Sequence, residues 1–361
     1  MFLQTSKYYV LSMIGEGQVH QVFKVVHNLS QKLFAFKMEK YPMSGQIENE
    51  IKILQELNEV EGIPKLIHHG INPEKKSYLI LPLLYCSLLD LVKSQQISLS
   101  CILAIGISLI QTLEKMHRKS ILHLDIKPEN IMISQKIQKY SEDQLLQPGF
   151  IKLIDFGLSE FEENRKFLKN VFIGSLNFAS RAFHKGEKLG YKDDLESLLY
   201  VLVYLKNFKL PWSKIPSIGL IDMDIKFIGD IKTTMFNTMT LSYQFPLEFS
   251  KFMSYIDELK HYEMPDYSYI KELFIKMLKT TSISHNMDSF LNYSPIQSIT
   301  QLGNSKTLDI PVEKHLLNND SIQTQIQEDI IDIEPIFVHP SNLIGKYTTL
   351  QIKSISDLKF S

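Results

Sequence analysis

Three runs rich in β-branched and aromatic residues, Tyr8 to Ile14, Val19 to Val26 and Leu33 to Met38, are separated by the turn residues Gly15-Glu16-Gly17 and His27-Asn28. They predict an antiparallel meander. The apolar period then changes: Ile47, Ile51 and Leu54 fall at helical spacing, which predicts a helix over Gln46 to Leu57. Short strands near Leu66 to His69 and Tyr78 to Leu81 complete a small β-rich region. Past Pro82 the helical period dominates, over Leu88 to Lys93, Leu99 to His117, Asp193 to Leu205, Phe249 to Leu259 and Tyr267 to Leu278. In the last of these, Asp266 follows Pro265 at the N-cap position, and Tyr269, Leu273, Phe274, Met277 and Leu278 form the apolar stripe. The pattern describes an α+β, bilobal chain. A small β-rich lobe with one helix covers residues 1–84, and a larger, mainly α-helical lobe covers residues 85–281. Residues 282–361, rich in Ser, Asn, Gln and Thr and interrupted by four prolines at 295, 311, 335 and 340, read as a tail of low order.

Composition narrows the function classes. The formal net charge is −1 over 361 residues, so bulk electrostatics makes no case for binding nucleic acid or a membrane surface. The most apolar run, Ile97 to Leu113, is broken by Ser98, Ser100, Ser108 and Gln111, and predicts a buried core helix, not a membrane span. Met1 to Val10 holds polar residues and no apolar segment of the secretory kind, so a cytoplasmic location is expected, with the nucleus also open. Cys86 and Cys101 make no disulfide framework, and neither they nor His68 and His69 have zinc spacing.

The chemistry concentrates in His123-Leu124-Asp125-Ile126-Lys127-Pro128-Glu129-Asn130. Phosphoryl transfer to a hydroxyl calls for a carboxylate that orients the attacking hydroxyl, a cation beside the migrating group and an amide oxygen on a metal ion. Asp125, Lys127 and Asn130 supply that set, and Asp155-Phe156-Gly157 adds a second carboxylate, one that could hold the other metal ion. Gly15 and Gly17, flanked by Ile14, Glu16 and Val22, let backbone N–H groups approach phosphates, although Gly-x-Gly alone is also a common hairpin turn. His20 stands where a third glycine is usual and is expected to stiffen this loop and crowd the phosphates. Lys37 ends the third strand, and helical phase puts Glu50 within the apolar face of the next helix while Glu48 points away. A carboxylate on an apolar face needs a partner, and Lys37 is the natural one.

These motifs belong to a chain whose first 280 or so residues resemble the casein kinase I family of Ser/Thr protein kinases. The specific strings are Gly174-Ser175-Leu176-Asn177-Phe178-Ala179-Ser180, Asp193-Asp194-Leu195-Glu196-Ser197-Leu198 and Pro265-Asp266-Tyr267-Ser268-Tyr269. Leu210-Pro211-Trp212 and Gly62-Ile63-Pro64 agree as well. The resemblance implies a bilobal protein kinase fold, ATP with Mg2+, and transfer to Ser or Thr of protein substrates, acidic contexts included, by a monomer. It implies nucleotide contacts from Ile14, Gly15, Glu16, Gly17, Val22, Ala35, Lys37, Glu50, Leu81, Leu84, Met132 and Asp155, with Asn130 and Asp155 on the metal. By the same resemblance Asp125, Lys127, Lys37 and the Ser175 hydroxyl would carry the catalytic roles, and Asp194 would anchor the catalytic loop from beneath.

The chain also departs from the family. Leu124 replaces the arginine that often reads an activation-loop phosphate. Asn177 replaces an arginine of an anion site, and an amide does not imitate a bidentate guanidinium. Leu199 replaces a helix glycine, and Ser134 to Phe150 is longer than usual. With Lys37, Asp125, Asn130 and Asp155 intact, an active kinase is expected. The alternative is a kinase-fold scaffold without efficient phosphotransfer.

Overall fold

The computed structural model describes residues 7–42, 44–136, 139–164, 176–213 and 221–291. Strands β1 (Tyr8–Glu16), β2 (His20–His27) and β3 (Leu33–Glu39) form the expected meander. Helix α1 (Gln46–Glu56) follows, then β4 (His68–Ile71) and β5 (Ser77–Pro82), and the sheet order is β1-β2-β3-β5-β4. The register lines up Gly15 with Val22, Val22 with Lys37, and Lys37 with Leu79. Inward residues Val25, Phe36, Met38 and Ile80 form a small core on one face of this sheet. Ile47, Glu50, Ile51, Ile53 and Leu54 of α1 are buried, as its phase predicts.

After the Leu83–Leu84 link come β6 (Cys86–Ser87), α2 (Leu88–Ser94) and α3 (Leu99–His117). Ser87 and Asp90 cap α2 reciprocally, and the Ser98 hydroxyl accepts from the Cys101 N–H at the start of α3. Helix α3 is long and apolar enough to cross a membrane by length and composition, yet 72% of its most apolar window is buried inside the fold. It is a core helix, as expected. Strands β7 (Ile121–Leu122), β8 (Ile131–Ile133), β9 (Ile151–Leu153) and β10 (Glu160–Phe161) carry the loops of interest. The insertion between β8 and β9 contains a short helix, α4 (Glu142–Leu145), pinned to α3 where Ser108 Oγ donates to the Leu145 carbonyl at 2.6 Å.

The rest of the larger lobe is α5 (Arg181–His184), α6 (Tyr191–Asn207), α7 (Ile221–Asn237), α8 (Leu247–Glu258) and α9 (Tyr267–Leu291). Helix α6 is buried on nearly every face, with Leu195, Leu198, Leu199, Tyr200, Val201 and Leu202 fully enclosed. Leu199, where the family has glycine, therefore fills core volume. Helix α9 runs to Leu291, ten residues beyond the domain end expected at residue 281. The tail expected over 282–361 lies outside the described residues from 292 onward.

Candidate active site

Lys37 is the junction between the lobes. Its Nζ lies 2.7 Å from Glu50 Oε2 and 2.8 Å from Asp155 Oδ1. Glu50 is 1% exposed, which settles the choice between it and the exposed Glu48. Burial alone would lower the Lys37 pKa, but the Glu50 and Asp155 carboxylates outweigh it and hold the ammonium charged well above the usual lysine range. Burial likewise works against the Asp155 charge, and Lys37 overrides it, holding Asp155 ionised well below the usual carboxylate range.

Glu50 Oε1 also accepts from the Phe156 N–H at 3.3 Å, so α1 fixes the Asp155-Phe156-Gly157 backbone as well as the lysine. Asn49 adds to this, its amide donating to the Phe156, Gly157 and Ser159 carbonyls at 3.4, 3.3 and 2.8 Å. Sequence reasoning missed Asn49, and its only signal was a place beside Glu50 on the helix. Phe156 is fully buried and meets His123 edge-on at 5.1 Å between ring centroids. Burial lowers the His123 pKa. The neutral ring donates from Nε2 to the Ile154 carbonyl at 3.1 Å and accepts the Asp125 N–H on Nδ1 at 3.2 Å.

In the catalytic loop, Lys127 Nζ sits 2.6 Å from Asp125 Oδ2. Asn130 Nδ2 donates to the Asp125 carbonyl at 2.9 Å and to Oδ2 at 3.0 Å. The structure therefore brings Asp125, Lys127 and Asn130 together. Beneath them Asp194 Oδ2 accepts the His123 N–H at 2.8 Å and Oδ1 the Leu124 N–H at 2.9 Å. This is the anchoring expected of Asp194. It fixes Leu124 in the left-handed region, at φ 68°, which costs a branched residue roughly 1–2 kcal/mol. His117 Nε2 lies 3.0 Å from Asp194 Oδ2, and the Tyr267 hydroxyl bonds His117 Nδ1, so α3 and α9 brace the loop through α6.

The donor set suits a divalent cation. Asn130 spends only its amide nitrogen, leaving Oδ1 without a hydrogen bond among the described residues. Asp155 spends Oδ1 on Lys37 and leaves Oδ2 likewise, in a group that stays ionised. Two such hard oxygens are what magnesium takes from protein.

On the nucleotide side, Ile14, Gly15, Glu16, Gly17 and Val22 lie along the β1–β2 hairpin, and Ala35 stands opposite Leu81. Glu16 holds Lys40 at 2.6 Å. Leu83 and Leu84 make no backbone hydrogen bond among the described residues. Met132 stands half-buried in β8.

On the opposite side, Leu124 and Asp125 face Phe178, Ala179, Ser180 and Phe183 across a small cleft. The Phe178–Ser180 stretch is held by residues that sequence reasoning missed. Lys232 on α7, fully buried, donates to the Leu176 and Ala179 carbonyls at 2.8 and 2.5 Å. Arg181 joins Glu196 at 3.2 Å and Asp257 at 2.7 Å, with its guanidinium 3.5 Å above the Phe236 ring. Asn177 offers its carbonyl to Trp212 Nε1 at 2.9 Å. Ser175 lies outside the described residues, so its expected hydroxyl has no place in this geometry.

Comparison with known proteins agrees with this arrangement. The protein kinase domain model matches residues 8–284. The chain is 30% identical over 282 residues to a probable casein kinase I homologue of Encephalitozoon cuniculi, covering 75% of this chain and 84% of that protein. It is 28% identical to a probable serine/threonine-protein kinase of Dictyostelium discoideum, covering 73% of this chain but 52% of the relative. It is 26% identical to casein kinase I homolog 2 of Schizosaccharomyces pombe, covering 75% and 62%. The chain belongs to the protein kinase family, as a serine/threonine protein kinase of the casein kinase I-like kind.

Proposed function

We propose that this kinase transfers the γ-phosphoryl group of ATP to Ser and Thr hydroxyls of protein substrates, through the residues gathered around Lys37 and Asp125. The observation that carries the reading is the Lys37 ammonium held between Glu50 and Asp155 at 2.7 and 2.8 Å, with Asp125 and Lys127 paired at 2.6 Å in the next loop. Both halves of the machinery are assembled in one conformation.

Lys37 orients the α and β phosphates, and Glu50 keeps it from turning wholly to Asp155. The Gly15–Gly17 hairpin covers the phosphates. Asn130 and Asp155 would hold magnesium, which would offset charge on the phosphate oxygens. Asp125 accepts the hydrogen bond of the substrate hydroxyl and aligns it. Lys127 leaves its contact with Asp125 to meet charge on the transferring group. Little covalent work falls to the protein, so the rate derives from positioning and from electrostatics.

A phosphotransfer assay over a peptide library tests the substrate side. Ser and Thr peptides are expected to be labelled and Tyr peptides not. Because Asn177 replaces the anion-site arginine, peptides with a phosphorylated upstream residue are expected to gain little over their unphosphorylated forms. Exclusive labelling of tyrosine would overturn this reading.

A further inference from the structure

We infer that the His20 imidazole is a phosphate-recognition group of the nucleotide site, taking over a contact that a glycine loop makes with its backbone. This rests on the ATP reading above and goes beyond it. His20 opens β2, and alternate residues of a strand share a face. Val22, two positions on, packs toward Gly15, where a Cβ would lie 3.6 Å from Val22 Cβ. His20 does the same one step nearer the hairpin tip: a Cβ on Gly17 would lie 2.9 Å from its Cε1 and 3.0 Å from its Nε2. The ring therefore lies under the hairpin on the cleft side, on the face that includes Val22.

Its surroundings fit that placement. Burial first, then the charge of Lys37, holds the imidazole neutral, with a pKa lowered to about 4, and Asp155, Lys40 and Lys127 also act on it. Lys37 and Asp155 are the groups assigned to the phosphates and the metal, and Lys127 comes from the opposite lobe. Among the described residues neither ring nitrogen has a hydrogen-bond partner, so a neutral half-buried ring keeps one N–H to donate. The backbone has meanwhile lost a donor, because the Gly17 N–H is spent on the His20 carbonyl at 2.9 Å. An anionic chain of oxygens between Lys37 and the hairpin meets the free imidazole N–H first. The sequence suggested that His20 would merely crowd the phosphates; the geometry gives it a partner role.

The test measures binding of ATP, ADP and adenosine, each with magnesium, to wild type, His20→Ala and His20→Gln. His20→Ala is expected to weaken ATP and ADP about tenfold, the loss of one hydrogen bond to a charged acceptor, and to leave adenosine within about twofold. His20→Gln, which keeps an N–H donor, is expected to recover most of that loss. In kinetics, the Ala variant raises KM for ATP more than it lowers kcat. ATP binding by His20→Ala equal to or tighter than wild type, or an equal loss for adenosine, overturns the assignment. Wild type that binds adenosine but gains nothing from the phosphates overturns it as well. Wild type that binds none of the three overturns the ATP reading beneath it.

Discussion

Replacing Asp194 by Asn tests how the catalytic loop is held. Asp194 takes two backbone N–H groups on separate oxygens, from His123 at 2.8 Å and Leu124 at 2.9 Å. Burial works against its charge, but His117 and these donors outweigh that and keep its pKa low. An asparagine of the same shape has one oxygen and one NH2, so one of the two N–H groups then faces a donor. Losing a charge-assisted hydrogen bond costs about 1.5–3 kcal/mol, and the strain of roughly 1–2 kcal/mol at Leu124 is released by letting the loop relax. Both changes move Asp125, the next residue, away from its position. The expected result is a fall in kcat/KM for a Ser peptide of about 10–150-fold, the rate equivalent of that energy. The melting temperature should drop by several degrees, at roughly 2–4 °C per kcal/mol for a domain of this size. Nucleotide affinity should hold, because Lys37 and the hairpin do not touch Asp194. Steady-state kinetics, thermal melts and ADP titration separate the three readouts. An Asn variant with kcat/KM within about threefold of wild type would refute the anchoring argument.

Two further perturbations reach other parts of the site. Glu50→Gln leaves Lys37 with Asp155 as its one ion-pair partner among the described residues, so the ammonium should collapse onto the proposed magnesium-binding carboxylate. We expect kcat/KM to fall by about 10²-fold or more, with the apparent affinity for magnesium weakened, measured by magnesium titration of initial rates; unchanged magnesium dependence would count against it. Asp193 predicts a pH effect on stability. Its Oδ2 accepts the Gly190 N–H at 2.6 Å, its Oδ1 is buried with no hydrogen-bond partner among the described residues, and burial pushes its pKa up to about 7. The folded state therefore binds a proton that the unfolded chain, with an ordinary pKa of 3.8, does not. Its contribution is full below pH 4, is lost as pH rises toward 7, and is level beyond, amounting to about 4 kcal/mol. Urea melts at pH 5 and pH 8 should show that wild type loses more stability between the two than Asp193→Asn does; parallel losses would remove the assignment.

Much of this was legible in the sequence where local pattern and local chemistry agree. The β1–β3 meander and α1 follow from period alone, and helical phase by itself favours Glu50 over Glu48. The strands β8 and β9 beside Asn130 and Asp155 were visible as short apolar runs. Helix α7 was not, because its apolar residues surround it and Gly229 interrupts it; a Cβ there would lie 2.5 Å from His184, a contact with no local signature. Lys232 was invisible for a related reason. A lysine in isolation reads as solvated, and its acceptors, Leu176 and Ala179, lie more than fifty residues away in sequence. Arg181 and Glu196 form a pair across α5 and α6 that no period can reveal. The two-residue strands β6, β7 and β10 are too short to show alternation. Leu124 was visible as a departure, but its positive φ, and with it the dependence on Asp194, belongs to the tertiary structure.

The central claim is that the groups around Lys37 and Asp125 form a working phosphotransfer site, and one measurement tests it most directly. Wild type and Asp155→Asn are incubated with magnesium and γ-labelled ATP and an acidic Ser peptide, and transfer to the peptide is followed with time. Wild type is expected to label the peptide with linear kinetics, and Asp155→Asn to lose about 10²-fold or more of that rate. No transfer by wild type, or equal transfer by the variant, would contradict the account.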